Sequence, residues 1–267
     1  MFRQYYNLTQ NPFSKAIPIK DAFTTHDFAQ MRTRLDFLAK TGGIGMFCAG
    51  SGYGKTFAMR AWARELNRNT TNHAYICLST VSTGEFYRQL CQALGVDARY
   101  KKSDMFKAIQ EHLIYQSVEK RMQTIITIDE AQYLSNDILR DLKMITNFEM
   151  DSRDCVGIAL VGQPVLADVL SRSIHEALRQ RIVVNYTFEG LKEAEVKDYV
   201  GSLLRSAGAS PDIIDAAALL AAFGCCQGSI RKLNTLLTNA LRIGAQTQAA
   251  AINTDMMLAA NEETAIR

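Results

Sequence analysis

The sequence lacks the features that would tie it to a membrane, a metal or an oxidising compartment. Its longest apolar run, Ala216 to Cys226, is far shorter than the roughly 20 apolar residues a membrane-spanning helix needs. Met1 to Asn11 is polar and aromatic, without the basic head, apolar stretch and cleavage site of a secretory leader. The six cysteines, Cys48, Cys77, Cys91, Cys155, Cys225 and Cys226, show no C-x-x-C pairing, so a zinc framework is not indicated and reduced, buried thiols are expected. The four histidines, His26, His73, His112 and His175, are scattered and suggest no metal site. Only four prolines occur, and no repeat, low-complexity block or Pro/Ser-rich linker interrupts the chain. A soluble, cytoplasmic protein with no membrane partner is expected.

What is present is the composition of an ordinary globular chain. Of 267 residues, 48% are hydrophobic and 21% charged, which argues against disorder and allows one large domain or two small ones. The net charge of +3 permits nucleic-acid binding without requiring it, since a local basic patch can sit within a near-neutral total.

From Ile44 onward, short apolar runs rich in β-formers alternate with amphipathic stretches of helix length, the pattern of a parallel sheet covered by helices. Strands are predicted at 44–49, 74–79, 124–129, 156–161 and 182–188. Helices are predicted near 55–67, 83–94, 103–119, 135–148 and 163–180. After Glu189 the strand signal stops, and helices are predicted near 192–207, 211–223, 229–245 and 254–262, punctuated by Gly208, Gly228 and Gly244. The fold class is therefore α/β: a core with a five-stranded parallel sheet flanked by helices, followed by a small all-helical lid. The expected division is an N-terminal extension, 1–40, packing on the core beside the loop described next; an α/β core, 41–190; and a helical lid, 191–267. The extension has an extended piece around Asn11-Pro12-Phe13 and a helical stretch over 27–40.

Chemistry concentrates in the run from Ile44 to Thr56, where an apolar strand passes through Ala49-Gly50-Ser51-Gly52-Tyr53-Gly54-Lys55-Thr56 into a helix. That is the context a phosphate-binding loop requires. Gly50, Ser51, Gly52, Tyr53 and Gly54 would wrap phosphate oxygens with backbone N–H groups, Lys55 would reach the β- and γ-phosphates, and Thr56 would offer its hydroxyl to Mg²⁺. The departure is Ala49, where the strict pattern has glycine; alanine fits there if its φ is negative.

The run Thr124 to Asp129-Glu130 reads as a buried strand ending in two carboxylates, and open α/β sheets bind ligands at such carboxyl ends. Asp129 would organise the Mg²⁺ shell and Glu130 would polarise an attacking water. ATP with Mg²⁺ is the implied ligand, and hydrolysis to ADP and phosphate the implied reaction. The next strand ends in Gly162-Gln163-Pro164, so Gln163 is either a γ-phosphate sensor, if the two strands are adjacent, or a helix-entry residue before Pro164. Arg179 and Arg181 precede the fifth strand, and Arg231 follows Gly228-Ser229-Ile230 at a helix start.

These features together resemble the AAA+ ATPases, and within them the ExeA-like branch that includes secretion ATPases and transposition regulators of the TniB, TnsC and MuB kind. The resemblance covers almost the whole chain and rests on Tyr6-Asn7-Leu8, Asn11-Pro12-Phe13, Asp129-Glu130-Ala131-Gln132, Leu160-Val161-Gly162-Gln163-Pro164, Leu178-Arg179-Gln180-Arg181-Ile182 and Gly228-Ser229-Ile230-Arg231-Lys232-Leu233. It implies that Gln163 is sensor 1, that Arg231 is sensor 2 in the helical lid, and that Arg179 or Arg181 is an arginine finger. A finger acts across a subunit boundary, so self-assembly into a ring or helical filament is implied, with weak turnover stimulated by assembly.

Within the branch, secretion members look like this module fused to a membrane helix and a wall-binding domain, and the sequence, ending at Arg267, carries neither, which sets the expectation toward the stand-alone transposition type. The partners expected are then duplex DNA and a transposase or integrase. Arg99-Tyr100-Lys101-Lys102-Ser103 is the candidate DNA-facing stretch, with Lys107 nearby; a solvated basic loop is the other reading. Two further functional readings stand: a secretion or assembly ATPase acting on protein partners without DNA, and a nucleotide-dependent scaffold with negligible turnover.

Overall fold

The computed structural model describes residues 2–14, 18, 22–77, 80–148 and 153–264. In chain order the helices and strands are α1 (Phe2–Tyr5), α2 (His26–Thr41), β1 (Gly43–Cys48), α3 (Lys55–Glu65), β2 (Thr71–Ile76), α4 (Thr83–Leu94), α5 (Lys102–Val118), β3 (Gln123–Ile128), α6 (Asn136–Ile145), β4 (Gly157–Gly162), α7 (Val165–Ser171), α8 (Glu176–Arg179), β5 (Ile182–Thr187), α9 (Glu193–Ser206), α10 (Ala216–Cys226), α11 (Ile230–Gln246) and α12 (Thr254–Thr264). The chain divides into two compact units. One gathers residues 30–49 and 55–188 around the sheet; the other gathers 1–29, 50–54 and 189–267 and is helical.

In the sheet unit, five parallel strands lie in the order β2-β3-β4-β1-β5. β1, β3 and β4 are buried almost end to end, which is why they read as continuous apolar runs: a parallel strand covered on both faces has no wet side to mark with polar residues. The core gathers Ile44, Met46, Ile126, Ile128, Ile158 and Leu160 from the strands with Phe86, Leu90, Ile109, Leu113, Ile138 and Leu142 from α4, α5 and α6. Ser82 and Ser135 cap α4 and α6 by accepting the amides of Glu85 and Ile138, and Gly95 closes α4 in the left-handed conformation.

Two departures from the sequence expectation have clear causes. The second strand, expected at 74–79, runs over Thr71–Ile76, and residues 78–79 lie outside the described residues. β2 is an edge strand, so Asn72 and His73 are only partly covered and their polarity hid the strand start. The helix expected over 163–180 is broken: α7 stops at Ser171, Arg172 is extended (φ −62°, ψ 145°), and a single turn at 173–175 leads into α8. No glycine or proline marks the break. It is held instead by Arg179, whose Nη1 donates to the carbonyls of Leu170, Ser171 and Arg172 at 2.8, 2.7 and 2.8 Å, supplying donors and positive charge where a helix C-terminus needs both.

In the helical unit, α9, α10, α11 and α12 share a core of Val200, Leu203, Leu204, Ala218, Ala222, Leu233, Leu237, Leu241 and Met257. Tyr6, Leu8 and Phe13 belong to the same core. The Tyr6 hydroxyl donates to the Ala249 carbonyl at 2.9 Å, and the Thr9 amide donates to Ala207 O at 2.9 Å. The extension expected as one segment, 1–40, thus divides near Ala29, its first part falling with the helical unit and its remainder with the sheet unit. Among the described residues no helix is long and apolar enough to cross a membrane.

Candidate nucleotide-binding site

The loop between β1 and α3 is shaped by two glycines that no other residue could replace without strain: Gly52 and Gly54 have φ of +83° and +94°. In the helical unit a Cβ on Gly52 would also sit 2.6 Å from Ser229 Oγ. Ala49 lies outside the left-handed region, so alanine is accommodated where the strict pattern has glycine. The buried amide of Ala49 donates to Gly162 O at 3.0 Å, which ties the loop's first residue to the end of β4.

Lys55, the first residue of α3, is 7% exposed, and its ammonium donates to the Ala49 carbonyl at 2.8 Å. A buried lysine at a helix N-terminus runs against the helix dipole, and an anion bound there would be favoured by both. Thr56 follows, and its hydroxyl donates to Asp129 Oδ2 at 2.9 Å. That bond joins the helix after the loop to the carboxyl end of β3.

Asp129 is 5% exposed and well held. Oδ2 also accepts the Tyr75 hydroxyl at 2.9 Å, and Oδ1 accepts the Glu130 amide at 2.9 Å. Burial and the adjacent Asp129 charge push the Tyr75 phenol far up, so Tyr75 stays a donor to Asp129 across the whole working pH range. Glu130 takes a left-handed conformation, φ 52° and ψ 38°, uncommon outside glycine and the kind of strain that collects at functional positions. Its Oε2 accepts Gln132 Nε2 at 2.6 Å, while Gln132 Oε1 accepts the Gln163 amide at 3.0 Å. β4 pairs with β3 on one side and β1 on the other, so Gln163 follows the strand between the loop strand and the acidic strand.

Thr56 and Asp129 fit Mg²⁺. Their bond spends the hydroxyl hydrogen on the carboxylate and leaves the oxygen lone pairs for a cation. Among the described residues there is no cluster of three or more His, Cys, Asp or Glu, and Mg²⁺ beside a nucleotide needs none, since it is usually bound through one or two carboxylates, waters and phosphate oxygens.

In the helical unit, Arg231 is exposed in the first turn of α11, its amide donates to Gly52 O at 3.1 Å, and Ser229 Oγ donates to Ser51 O at 3.3 Å while capping the same helix. Arg179 closes α7 as described, and its other donors make no hydrogen bond among the described residues. Arg181 reaches Thr146 O at 3.3 Å, at the end of α6. Arg99, Tyr100 and Lys101 are exposed before α5, Tyr100 at 92%. Lys102 is engaged: its ammonium pairs with Asp141 Oδ2 on α6 at 2.6 Å and lies 5.4 Å from the Tyr87 ring centroid. Tyr75 and Gln132 are contributors that sequence reasoning gave no role. Gln132 stands in the acidic run itself, where its spacing from Glu130 was the available signal; Tyr75 is recognised only once β2 and β3 are paired.

A glycine loop between a buried parallel strand and a helix, with an acidic strand end hydrogen-bonded to that helix's first turn, defines a P-loop nucleotide-binding protein. Residues 38–170 match the AAA domain family, and the chain is related to AAA+ P-loop proteins of the ExeA and MuB kind. It is 27% identical over 273 residues to General secretion pathway protein A of Aeromonas hydrophila, covering 100% of this chain and 49% of that protein. It is 26% identical over 181 residues to the ATP-dependent target DNA activator B of Escherichia phage Mu, covering 65% of this chain and 53% of that protein. The chain spans about half the length of these relatives. The Aeropyrum pernix ORC1 protein, solved in complex with DNA, shares the fold at 16% identity and a TM-score of 0.67, covering 94% of this chain and 68% of that one.

Proposed function

We propose that the chain hydrolyses ATP and that its ATP-bound form assembles on duplex DNA, where it engages a transposase or integrase and directs target-site selection. The observation that carries the nucleotide chemistry is the Thr56–Asp129 bond, which fixes the helix after the phosphate loop against the acidic strand end. Backbone amides of 50–54 and the Lys55 ammonium hold the phosphates, and Arg231, bonded to the same loop at Gly52, reads the nucleotide. Thr56 and Asp129 would hold Mg²⁺, which would supply positive charge to the phosphate oxygens. Glu130 accepts a proton from water as the water oxygen bonds to the γ-phosphorus; the bond from that phosphorus to the β,γ-bridging oxygen breaks, and the electron pair leaves with ADP. Gln163 senses the γ-phosphate. Arg179, anchored through Nη1 with its other donors unspent, is the finger offered to a neighbouring subunit, in preference to Arg181.

The DNA reading draws on the name of the phage Mu relative and on the exposed loop before α5. Arg99 and Lys101 form no ion pair among the described residues, and Lys101 occupies the N-cap of α5 without a side-chain capping bond. A cation there opposes the helix dipole and gains nothing locally, whereas a phosphate would be favoured by both. A second reading, a protein-directed secretion or assembly ATPase, is favoured by the whole-chain similarity to General secretion pathway protein A. Titrating labelled duplex with the chain, with ATP analogue or ADP, over a range of salt, separates the two. The DNA reading expects duplex binding with ATP analogue that weakens with salt and is lost with ADP; no binding at low salt with ATP analogue leaves the secretion reading. Measured turnover in the same samples separates both from a non-hydrolysing scaffold.

A further inference from the structure

The Gln132 side chain bridges the end of the acidic strand and the end of the next strand. Its Nε2 donates to Glu130 Oε2 at 2.6 Å, and its Oε1 accepts the backbone amide of Gln163 at 3.0 Å. Both ends of one amide are therefore spent, on the carboxylate proposed as general base and on the backbone of the proposed sensor. The fit is tight: a Cβ on Gly162 would lie 2.7 Å from Gln132 Oε1, 3.1 Å from Leu166 Cδ2 and 3.4 Å from the Gln132 backbone nitrogen. The glycine before Gln163 is the space into which the amide fits. Glu130 itself is in a left-handed conformation, so its side chain leaves the strand end at an angle that regular β-structure would not give, and something must fix where it points.

The geometry points to Gln132 as a positioning residue that sets the direction of the Glu130 carboxylate and couples it to the backbone of Gln163, so that movement at the sensor is transmitted to the base. An amide donating to one carboxylate oxygen fixes its orientation and leaves the other oxygen for water, and about an ångström of misplacement of a catalytic group can cost roughly 100-fold in rate. The inference deepens the reading of Glu130 as the base and rests on it.

The test compares single-turnover and steady-state ATP hydrolysis by the full chain. Gln132→Met keeps the side-chain volume and removes both hydrogen bonds; kcat is expected to fall about 10-fold, with KM for ATP and the affinity for a fluorescent ATP analogue within about twofold of wild type. Gly162→Ala, which crowds the amide, is expected to give the same kcat-only loss. In a Glu130→Gln background, itself expected to bind analogue normally and to turn over at least about 100-fold more slowly, Gln132→Met should cause no further loss, because it acts through Glu130. Thermal unfolding monitors the fold; should Gln132→Met not fold, Gln132→Glu, which keeps the acceptor for the Gln163 amide but not the donor to Glu130, is expected to show the same kcat-only loss. Wild-type kcat in a folded Gln132 variant overturns the inference, as does an equal further loss in the Glu130→Gln background. Wild-type turnover by Glu130→Gln overturns the assignment of the base and the inference with it.

Discussion

The acidic end of β3 and the basic loop before α5 carry the opposite charges on which the proposed function rests, and they are built in opposite ways. Asp129 is 5% exposed, and its carboxylate accepts hydrogen bonds from Thr56, Tyr75 and Glu130. Tyr100 is 92% exposed between Arg99 and Lys101, neither of which forms an ion pair among the described residues. A site for chemistry has to be organised before the substrate arrives, because reorientation during the reaction adds to the barrier. A surface that holds a polyanion gains most of its energy from charge and counterion release, and needs little fixed geometry. The contrast separates variants expected to end function outright from variants expected to scale it.

Lys55→Ala gives the largest effect and tests the organised side. Removing the ammonium leaves the phosphates without their closest fixed positive charge, so affinity for a fluorescent ATP analogue should fall at least about 100-fold, roughly 3 kcal/mol. Unfolding should still be cooperative, with thermal unfolding as the check that the loss lies in nucleotide binding and not in the fold. Unchanged ATP affinity would remove the phosphate-loop reading and erase the contrast.

Arg179→Ala comes next and asks whether an anchored arginine can also serve a neighbour. Turnover under assembling conditions should fall about 1,000-fold, the lower end of what a finger supplies. Mixing the Arg179→Ala chain with the Lys55→Ala chain should restore part of it, the former contributing an intact site and the latter an intact finger. Loss of the α7 closure alone would not be rescued by mixing. If the mixture stays inactive while an Arg181→Ala mixture recovers, the finger is Arg181.

Much of the organised side was legible in the sequence because its parts are contiguous. Ala49 to Thr56 forms one loop and helix start, and Asp129-Glu130 ends one apolar run; the parallel five-stranded sheet and the helical region after it followed from the alternation of elements. What escaped depends on pairs distant in the chain. The break in the helix after β4 is stabilised by Arg179, several residues beyond it. The start of β2 was masked because an edge strand keeps polar side chains. Tyr75 meets Asp129 only through strand pairing, 54 positions apart. On the basic side the sequence shows which residues are charged but not which are spent: Lys102, indistinguishable from Lys101 in the sequence, is paired with Asp141 across two helices.

That last distinction gives the smallest expected effect and the closest test of the open side. Lys102 holds the start of α5 to α6 and its ammonium lies near the Tyr87 ring, so Lys102→Ala should lower the stability of the chain by about 1 kcal/mol or less with little change in duplex affinity. Arg99 and Lys101, with no ion pair to break among the described residues, should do the reverse. Neutralising both is expected to leave thermal unfolding unchanged, to weaken duplex binding about equally on unrelated sequences, and to reduce the log–log salt slope by roughly 0.9 for each phosphate that is no longer neutralised. The titration is run at saturating ATP analogue with assembly followed separately, because fewer bound neighbours would also lower apparent affinity. Wild-type duplex affinity and salt slope in the Arg99/Lys101 double variant would mean that the loop is simply solvated and that DNA, if bound, meets another surface. A fall in duplex affinity from Lys102→Ala as large as from the double variant would mean that its ion pair with Asp141 opens for phosphate, making the basic stretch a single surface rather than a clamp beside a DNA-facing pair.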